Sequence, residues 1–193
     1  MPRSGLNRAR IVEAAAQYIE RHGVDGFSMR ALADELNVKT ASLYNHIDSM
    51  DDLLIDVCAY ALNKQYEYEL GAISDKHGAA AIAALSEAYR RFAKEHIALY
   101  RLVMRIAPSC GDKLAKTSEY IVTPFFRALD TSPLPEEEKV HWVRTLRAII
   151  HGFVSQEDAG FFAHLDKSAD ESFSVAVQCY VDGLEQAERR ARQ

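Results

Sequence analysis

Apolar residues recur at three- and four-residue spacing in one segment of this chain after another. No stretch alternates apolar and polar residues for long enough to make a strand. A chain patterned this way folds as packed helices, so the fold class it dictates is all-α. The first segment, about 7–22, places Ile11, Ala14, Ala15, Tyr18 and Ile19 on one stripe before Gly23 and Gly26 break it. A helix is expected over about 29–36, with Ser28 as N-cap and Phe27 stapling onto Leu32. A short one follows over about 39–46. Between the two, Asn37 tolerates the left-handed backbone that a tight turn needs. A fourth helix begins at the capping pattern Ser49-Met50-Asp51-Asp52 and runs on through Leu53, Leu54, Val57, Cys58, Ala61 and Leu62.

Longer helices are expected in the remainder, over about 79–94, 96–106, 112–129, 136–158 and 170–190. Pro124 should kink the third of these. The Asp130–Pro135 stretch reads as a loop, and Glu136, Glu137 and Glu138 complement the helix start that follows it. The division expected is an N-terminal three-helix part, 1–48, and a larger helical part, 49–193.

Composition narrows the classes. Of the 193 residues, 48% are hydrophobic and the net charge is only −5, which excludes intrinsic disorder. No apolar run reaches membrane-spanning length, so no membrane partner is expected. The opening Met-Pro-Arg-Ser-Gly-Leu-Asn-Arg lacks the pattern of a secretion signal, and Cys58, Cys110 and Cys179 stand far apart without a CxxC. A reduced, cytoplasmic setting is the expectation. Residues 1–47 are slightly basic and the rest is acidic, which permits an anionic partner at the head only.

Two short helices around an Asn-containing turn form a helix-turn-helix pattern, whose second helix enters the DNA major groove. On that helix Ala41 and Leu43, with Val38 and Ile47 at its ends, can face inward. Lys39, Thr40, Ser42, Tyr44, Asn45 and His46 then face outward, donors and acceptors of the kind that reach base edges and phosphates. Any short surface helix is polar outside, so the pattern alone leaves DNA binding open.

The segments Ala9–Ala15, Gly23, Gly26–Ala33, Leu36-Asn37-Val38, Leu43-Tyr44-Asn45-His46 and Leu53-Leu54 resemble the TetR family of bacterial transcription regulators. The resemblance implies a homodimer whose helix-turn-helix domains read a palindromic double-stranded operator. It also implies a helical domain that binds a small-molecule effector, usually releasing the DNA. By position, Ser28 would cap its helix and touch a phosphate. Thr40 and Ser42 would face the groove, and Tyr44 and His46 would contact the phosphate backbone. Lys39 replaces a small N-capping residue, which weakens the helix start. Ile47 replaces a common Phe and keeps the core. Met50 replaces a common lysine, which implies a shallower salt dependence. Trp142, His151-Gly152 and Gly160-Phe161-Phe162 further resemble the WHG-type TetR subgroup.

Tyr89, Phe92, His96, Tyr100, Met104, Phe125, Trp142 and Leu146 are candidate walls of an effector pocket suited to a largely apolar or aromatic ligand. Each also reads as ordinary core. Val143, Ile149, Ile150 and Phe153, with Phe173, Val177, Tyr180, Val181 and Leu184, are candidate dimer faces. The seven histidines show no HExxH or zinc-like spacing, and neither a GxSxG elbow nor a phosphate-cradling loop occurs. No metal, cofactor or enzymatic activity is expected. Cys110, in the Pro108–Gly111 loop, has no local positive charge to make it a redox sensor. The competing class is a helical ligand-carrier or interaction protein that does not read DNA, favoured by Met50, Asp51 and Asp52.

Overall fold

The computed structural model describes residues 5–107, 111–114, 121–164 and 166–193. Among them are nine α-helices and no strand: α1 (Arg8–His22), α2 (Met29–Glu35), α3 (Thr40–Leu43), α4 (Met50–Ala72), α5 (Gly78–Glu95), α6 (Ile97–Ile106), α7 (Thr123–Ala128), α8 (Glu136–Asp158) and α9 (Ala169–Ala191). They form two compact units. One combines the described residues up to Lys64 with 96–114, and the other combines 65–95 with 121–193. The helix α4 contributes its first part to one unit and its last turns to the other.

In the first unit, Asn7 caps α1 by accepting from the Arg10 N–H at 2.9 Å. Gly23, at φ +76°, ends the helix, and its N–H donates to the Ile19 carbonyl at 2.8 Å. The buried stripe is Ile11, Val12, Ala15, Ala16 and Ile19, while Ala14 and Tyr18 are half-buried. The stripe is therefore turned slightly from the expected one, because α1 packs against both α2 and α6. Phe27, Leu32, Leu43 and Ile47 are buried as expected. The capping pattern before α4 also forms, the Asp52 N–H donating to Ser49 Oγ at 3.1 Å. Its six expected apolar residues, Leu53, Leu54, Val57, Cys58, Ala61 and Leu62, are all buried.

In the second unit α5 packs on α7, α8 and α9, and α8 packs on α9. Ser168 caps α9 through bonds from the Asp170 and Glu171 N–H groups at 3.1 and 3.4 Å. Two expectations are corrected here. The long kinked helix over 112–129 is absent from the described residues of that stretch: a 3₁₀ turn covers Gly111–Leu114, and Pro124 sits in the first turn of the short α7. A proline there starts a helix, since the N–H it lacks would have no helical partner anyway. The candidate dimer faces are the second. Val143, Ile150, Phe173, Val177, Tyr180, Val181 and Leu184 are all buried within the single chain by the packing of α8 and α9 on each other and on α5. Cys110 lies outside the described residues. Among the described ones, Cys58 is a buried free thiol and Cys179 an exposed one.

Candidate nucleic-acid interface and regulatory core

The turn between α2 and α3 depends on one backbone conformation. Asn37 has φ +53°, the only positive φ outside glycine among the described residues. That conformation lets the Asn37 N–H reach the Asp34 carbonyl at 3.1 Å and the Val38 N–H reach the Ala33 carbonyl at 2.9 Å. The chain then reverses into α3, which is shorter than its sequence pattern: four residues, with Tyr44–His46 continuing as a turn. Lys39 occupies the N-cap and makes no side-chain cap, and at the start of α3 the Ser42 N–H donates to the Lys39 carbonyl at 2.8 Å. Leu43 and Ile47 anchor it from below, at 0% and 1% exposure.

The expected outward set is exposed in graded fashion. Ser28, Lys39, Tyr44 and Asn45 are exposed, whereas Thr40, Ser42 and His46 are half-buried. Tyr44 shows 51% of its surface. Ala41 is exposed too, against the expectation that it faces inward. Leu43 and Ile47 already fill the space beneath this element, and Ala41 lies on the same helical side as Tyr44 and Asn45. Ser28 caps α2, its Oγ accepting from the Ala31 N–H at 3.1 Å.

Arg8 does what its sequence position gave no sign of. Its Nε donates to Asp56 Oδ2 at 2.7 Å, and a terminal nitrogen reaches the His46 carbonyl at 3.3 Å. It therefore ties the end of the α3 turn to α1 and α4. Arg21 pairs with Glu35 at 2.7 Å. Asp52, next to the exposed Met50, pairs with Lys113, whose hydrogen bond holds the carboxyl below the usual range. Its negative charge is thus locally offset. Among the described residues, Arg30 at the start of α2 and Lys39 at the α2–α3 turn make no ion pair, which leaves two exposed cations on the helix-turn-helix for an anionic partner.

The candidate pocket residues divide between the units. Tyr89, Phe92, Phe125, Trp142 and Leu146 belong to the second. His96, Tyr100 and Met104 belong to the first, where His96 meets Glu20, Tyr100 is buried and Met104 is 38% exposed. Within the second unit, Tyr89 and Phe125 meet edge-on at 6.3 Å and Phe92 meets Tyr68 at 5.8 Å. Trp142 lies on the α8–α9 seam, its ring edge-on to Tyr180 at 5.4 Å. The Tyr180 hydroxyl donates to the Trp142 carbonyl at 3.0 Å, and burial pushes its pKa up.

The sequence pattern missed the polar groups of this unit. Arg90, at 4% exposure, grips Glu157 with two bonds of 3.0 and 2.8 Å and Asp170 with one of 2.7 Å, joining α5, α8 and α9. Burial opposes the Arg90 charge, but the two carboxylates outweigh it and raise its pKa further. Glu69 on α4 is buried at 1% exposure. Neither residue belongs to a motif; Arg90 breaks an apolar stripe of α5, and that was the available signal. No group of three or more potential metal ligands occurs among the described residues.

The α2–turn–α3 arrangement, with its outward polar face, is a helix-turn-helix, the class of element that DNA-binding regulators use. Residues 11–57 match the family model of bacterial regulatory proteins, tetR family, and residues 82–180 match that of the tetracyclin repressor-like C-terminal domain. The chain belongs to the TetR family. It is 29% identical to the HTH-type transcriptional regulator YobS of Bacillus subtilis over 95% of both chains. It is 31% identical to an HTH-type transcriptional regulator of Mycobacterium tuberculosis over 93% of this chain and 82% of that one. Among solved structures it is similar to the Streptomyces coelicolor TetR family protein ActR in complex with (S)-DNPA, with a TM-score of 0.69 and 21% identity over 94% of this chain and 98% of that one. Both curated relatives are named as HTH-type transcriptional regulators. No helix among the described residues is long and apolar enough to cross a membrane.

Proposed function

We propose that the protein is a cytoplasmic repressor that binds a palindromic double-stranded operator as a homodimer and is released by a small, largely apolar or aromatic effector. The observation that carries the DNA half is the exposed surface of Lys39, Ala41, Tyr44 and Asn45 on α3 and its two ends, held out by the Asn37 turn and the buried Leu43. Thr40 and Ser42 flank that surface as base-reading groups, and Ser28, His46 and Arg30 are placed to meet phosphates. In functional terms the reading part is 1–48 and the regulatory part is 49–193. The likeness of Trp142 and His151-Gly152 supports the WHG subgroup.

The effector half rests on the aromatic cluster of the second unit, with Tyr89, Phe92, Phe125 and Leu146 as walls. Trp142 is a secondary candidate, given the surroundings described above, whereas His96, Tyr100 and Met104 belong to the first unit. That ActR is solved in complex with a small molecule supports this reading. The continuous α4 begins directly after the α3 turn and ends inside the regulatory unit, so it is the natural carrier of the signal.

Dimerisation is assigned to the surface that intrachain packing leaves open. On α8 this is Thr145, Ala148, Ile149, Gly152 and Ser155. On α9 it is Ser172, Val175, Ala176 and Cys179. Neither stripe carries a charged residue, and Val175 is 62% exposed. Depletion of charge is what the centre of a protein interface requires.

The test is fluorescence anisotropy with dye-labelled duplexes from the DNA flanking the coding region, at two salt concentrations. Tight, sequence-dependent binding that weakens with salt is expected. Tyr44→Ala should weaken binding on every sequence, whereas Thr40→Ala and Ser42→Ala should mainly relax base preference. Normal binding by Tyr44→Ala at both salts rejects the assignment of α3. Binding that is only weak and sequence-blind favours the helical carrier instead.

A further inference from the structure

Arg8 is the first residue of α1, and its guanidinium uses all three nitrogens on other parts of the chain. Nε and Nη2 both meet Asp56 Oδ2 on α4, at 2.7 and 2.6 Å. Nη1 donates to the His46 carbonyl at 3.3 Å. One planar fork thus joins α1, α4 and the turn that ends α3. Between α1 and α4 lies a groove of about 850 Å³, with Arg8, Val12, Asp56, Ala59 and Tyr60 among its walls. The Arg8–Asp56 pair crosses from one wall to the other.

The element that receives this fork needs support from outside. A helix of four residues is too short to hold itself, and the Lys39 side chain does not cap its start. Leu43 and Ile47 seat it from below, but apolar contacts have no preferred direction. At its far end the His46 N–H donates to the Leu43 carbonyl at 2.9 Å. The last carbonyls of a helix find no donor within it, and Arg8 supplies one from another element. A hydrogen bond, unlike an apolar contact, is directional, so this bond can fix the turn in orientation as well as in depth. A second surface pair of the same unit shows what is particular to Arg8. Arg21 and Glu35 meet at 2.7 Å and are exposed to a similar degree, yet the other bond of Arg21 stays within α1, on the Gln17 carbonyl at 3.1 Å.

We propose that Arg8 is a positioning residue for DNA reading: it holds no phosphate itself and instead fixes where Tyr44, Asn45 and His46 stand. This rests on the reading of α3 as the DNA-reading element and adds to it the side chain that orients it. Asp56 is part of the device, because its carboxylate aligns the fork so that Nη1 meets the His46 carbonyl. The consequence is opposite in sign to plain electrostatics. Removing the Asp56 carboxylate takes a negative charge from a DNA-binding unit and leaves Arg8 an unpaired cation, and by charge alone both changes tighten binding to phosphates. If the fork positions the turn, the same substitution loosens the turn and weakens binding.

The experiment is a salt series of anisotropy titrations of the full chain on the flanking-DNA duplex that the parent binds most tightly, with hydrogen-exchange mass spectrometry of the DNA-free proteins. Arg8→Met and Asp56→Ala should each weaken binding at least about tenfold, the worth of one charge-assisted bond, and the double variant should lose no more than about twofold beyond either. Arg8→Lys keeps the charge but not the fork, and should bind as weakly as Arg8→Met. The controls Arg21→Met and Glu35→Ala, each removing one surface charge of the matched pair, should stay within about threefold of the parent. The salt slope of Arg8→Met should equal the parent's, since a lost phosphate contact would lower it by about one. Exchange over residues 40–47 should rise in Arg8→Met and Asp56→Ala but not in the controls, with circular dichroism showing every variant as helical as the parent. Tighter binding by Asp56→Ala, parent-like binding by Arg8→Lys, a shallower slope in Arg8→Met, or unchanged exchange over 40–47 overturns the proposal. Parent binding that both variants retain in full rejects the role of Arg8 alone, whereas a parent that binds no duplex rejects the DNA reading and this proposal with it.

Discussion

The two units solve opposite problems with charge. In the first, the charged side chains lie at the surface and pair there: Arg8 with Asp56, Arg21 with Glu35, Lys113 with Asp52. Among the described residues its core is wholly apolar, and its shortest helix, α3, is held by Leu43 and Ile47 from below. In the second, three charged residues go inside. Arg90 and Lys139 are buried, and so is Glu69. On the proposed reading, the difference teaches that a surface for DNA needs its polar groups outward on rigid supports. A buried polar group sits where water is scarce, and there a single charge counts for more.

The contrast can be broken experimentally, starting with the largest effect. Arg90→Met should lower the unfolding free energy by roughly 3–5 kcal/mol in urea denaturation, because it leaves the part-buried Glu157 without its main partner. Arg21→Met, at an exposed pair of the first unit, is the control and should cost less than about 1 kcal/mol. Equal losses at the two sites would erase the distinction between the units.

Next comes the pH dependence of stability. The folded chain keeps the Glu69 proton up to about pH 8, whereas an unfolded chain releases it near the ordinary glutamate value of 4.5. Between those values the native state holds more protons, so this group's contribution is fully present below about 4.5 and is lost as pH rises to about 8. Relative to Glu69→Gln, the parent should lose about 3 kcal/mol of stability between pH 6 and pH 9. Parallel pH curves for the two proteins would show that the carboxyl is hydrated. The smallest effect belongs to the first unit. Ser28→Ala removes the cap of α2 and should cost about 1 kcal/mol, read as a lower midpoint in thermal denaturation.

Much of the first unit was legible in the sequence because its signals are local. Ser28, Asn37 and Ser49 act on backbone groups two or three residues away, and each appears in the structure in its expected role. The length of α3 was not legible. Polar residues at 44–46 continue a helical pattern, while the backbone leaves it once Leu43 and Ile47 are seated. Arg8 was likewise opaque, since its partners lie 38 and 48 residues away. In the second unit the long helices were legible from their periodicity, but what they bury was not. Val143, Val177 and Leu184 looked equally suited to a partner subunit, and only the mutual packing of α5, α8 and α9 decides that they are core. Pro124 misled because a proline inside an apolar pattern reads as a kink, and only the start of α7 reveals it as a first-turn residue.

The seam between α8 and α9 also gives the protein an optical handle. Trp142 is its single tryptophan. A Cβ added to Gly183 would stand 3.5 Å from the edge of the indole, and Tyr180 covers another side. All indole emission therefore comes from one half-buried ring at one joint. Its wavelength, excited at the red edge where tyrosine does not absorb, reports how tightly these two helices are seated, with no dye attached. Because the same pair of helices carries the proposed dimer stripes, a fluorimeter alone tests in the unmodified chain whether the seam shifts with protein concentration.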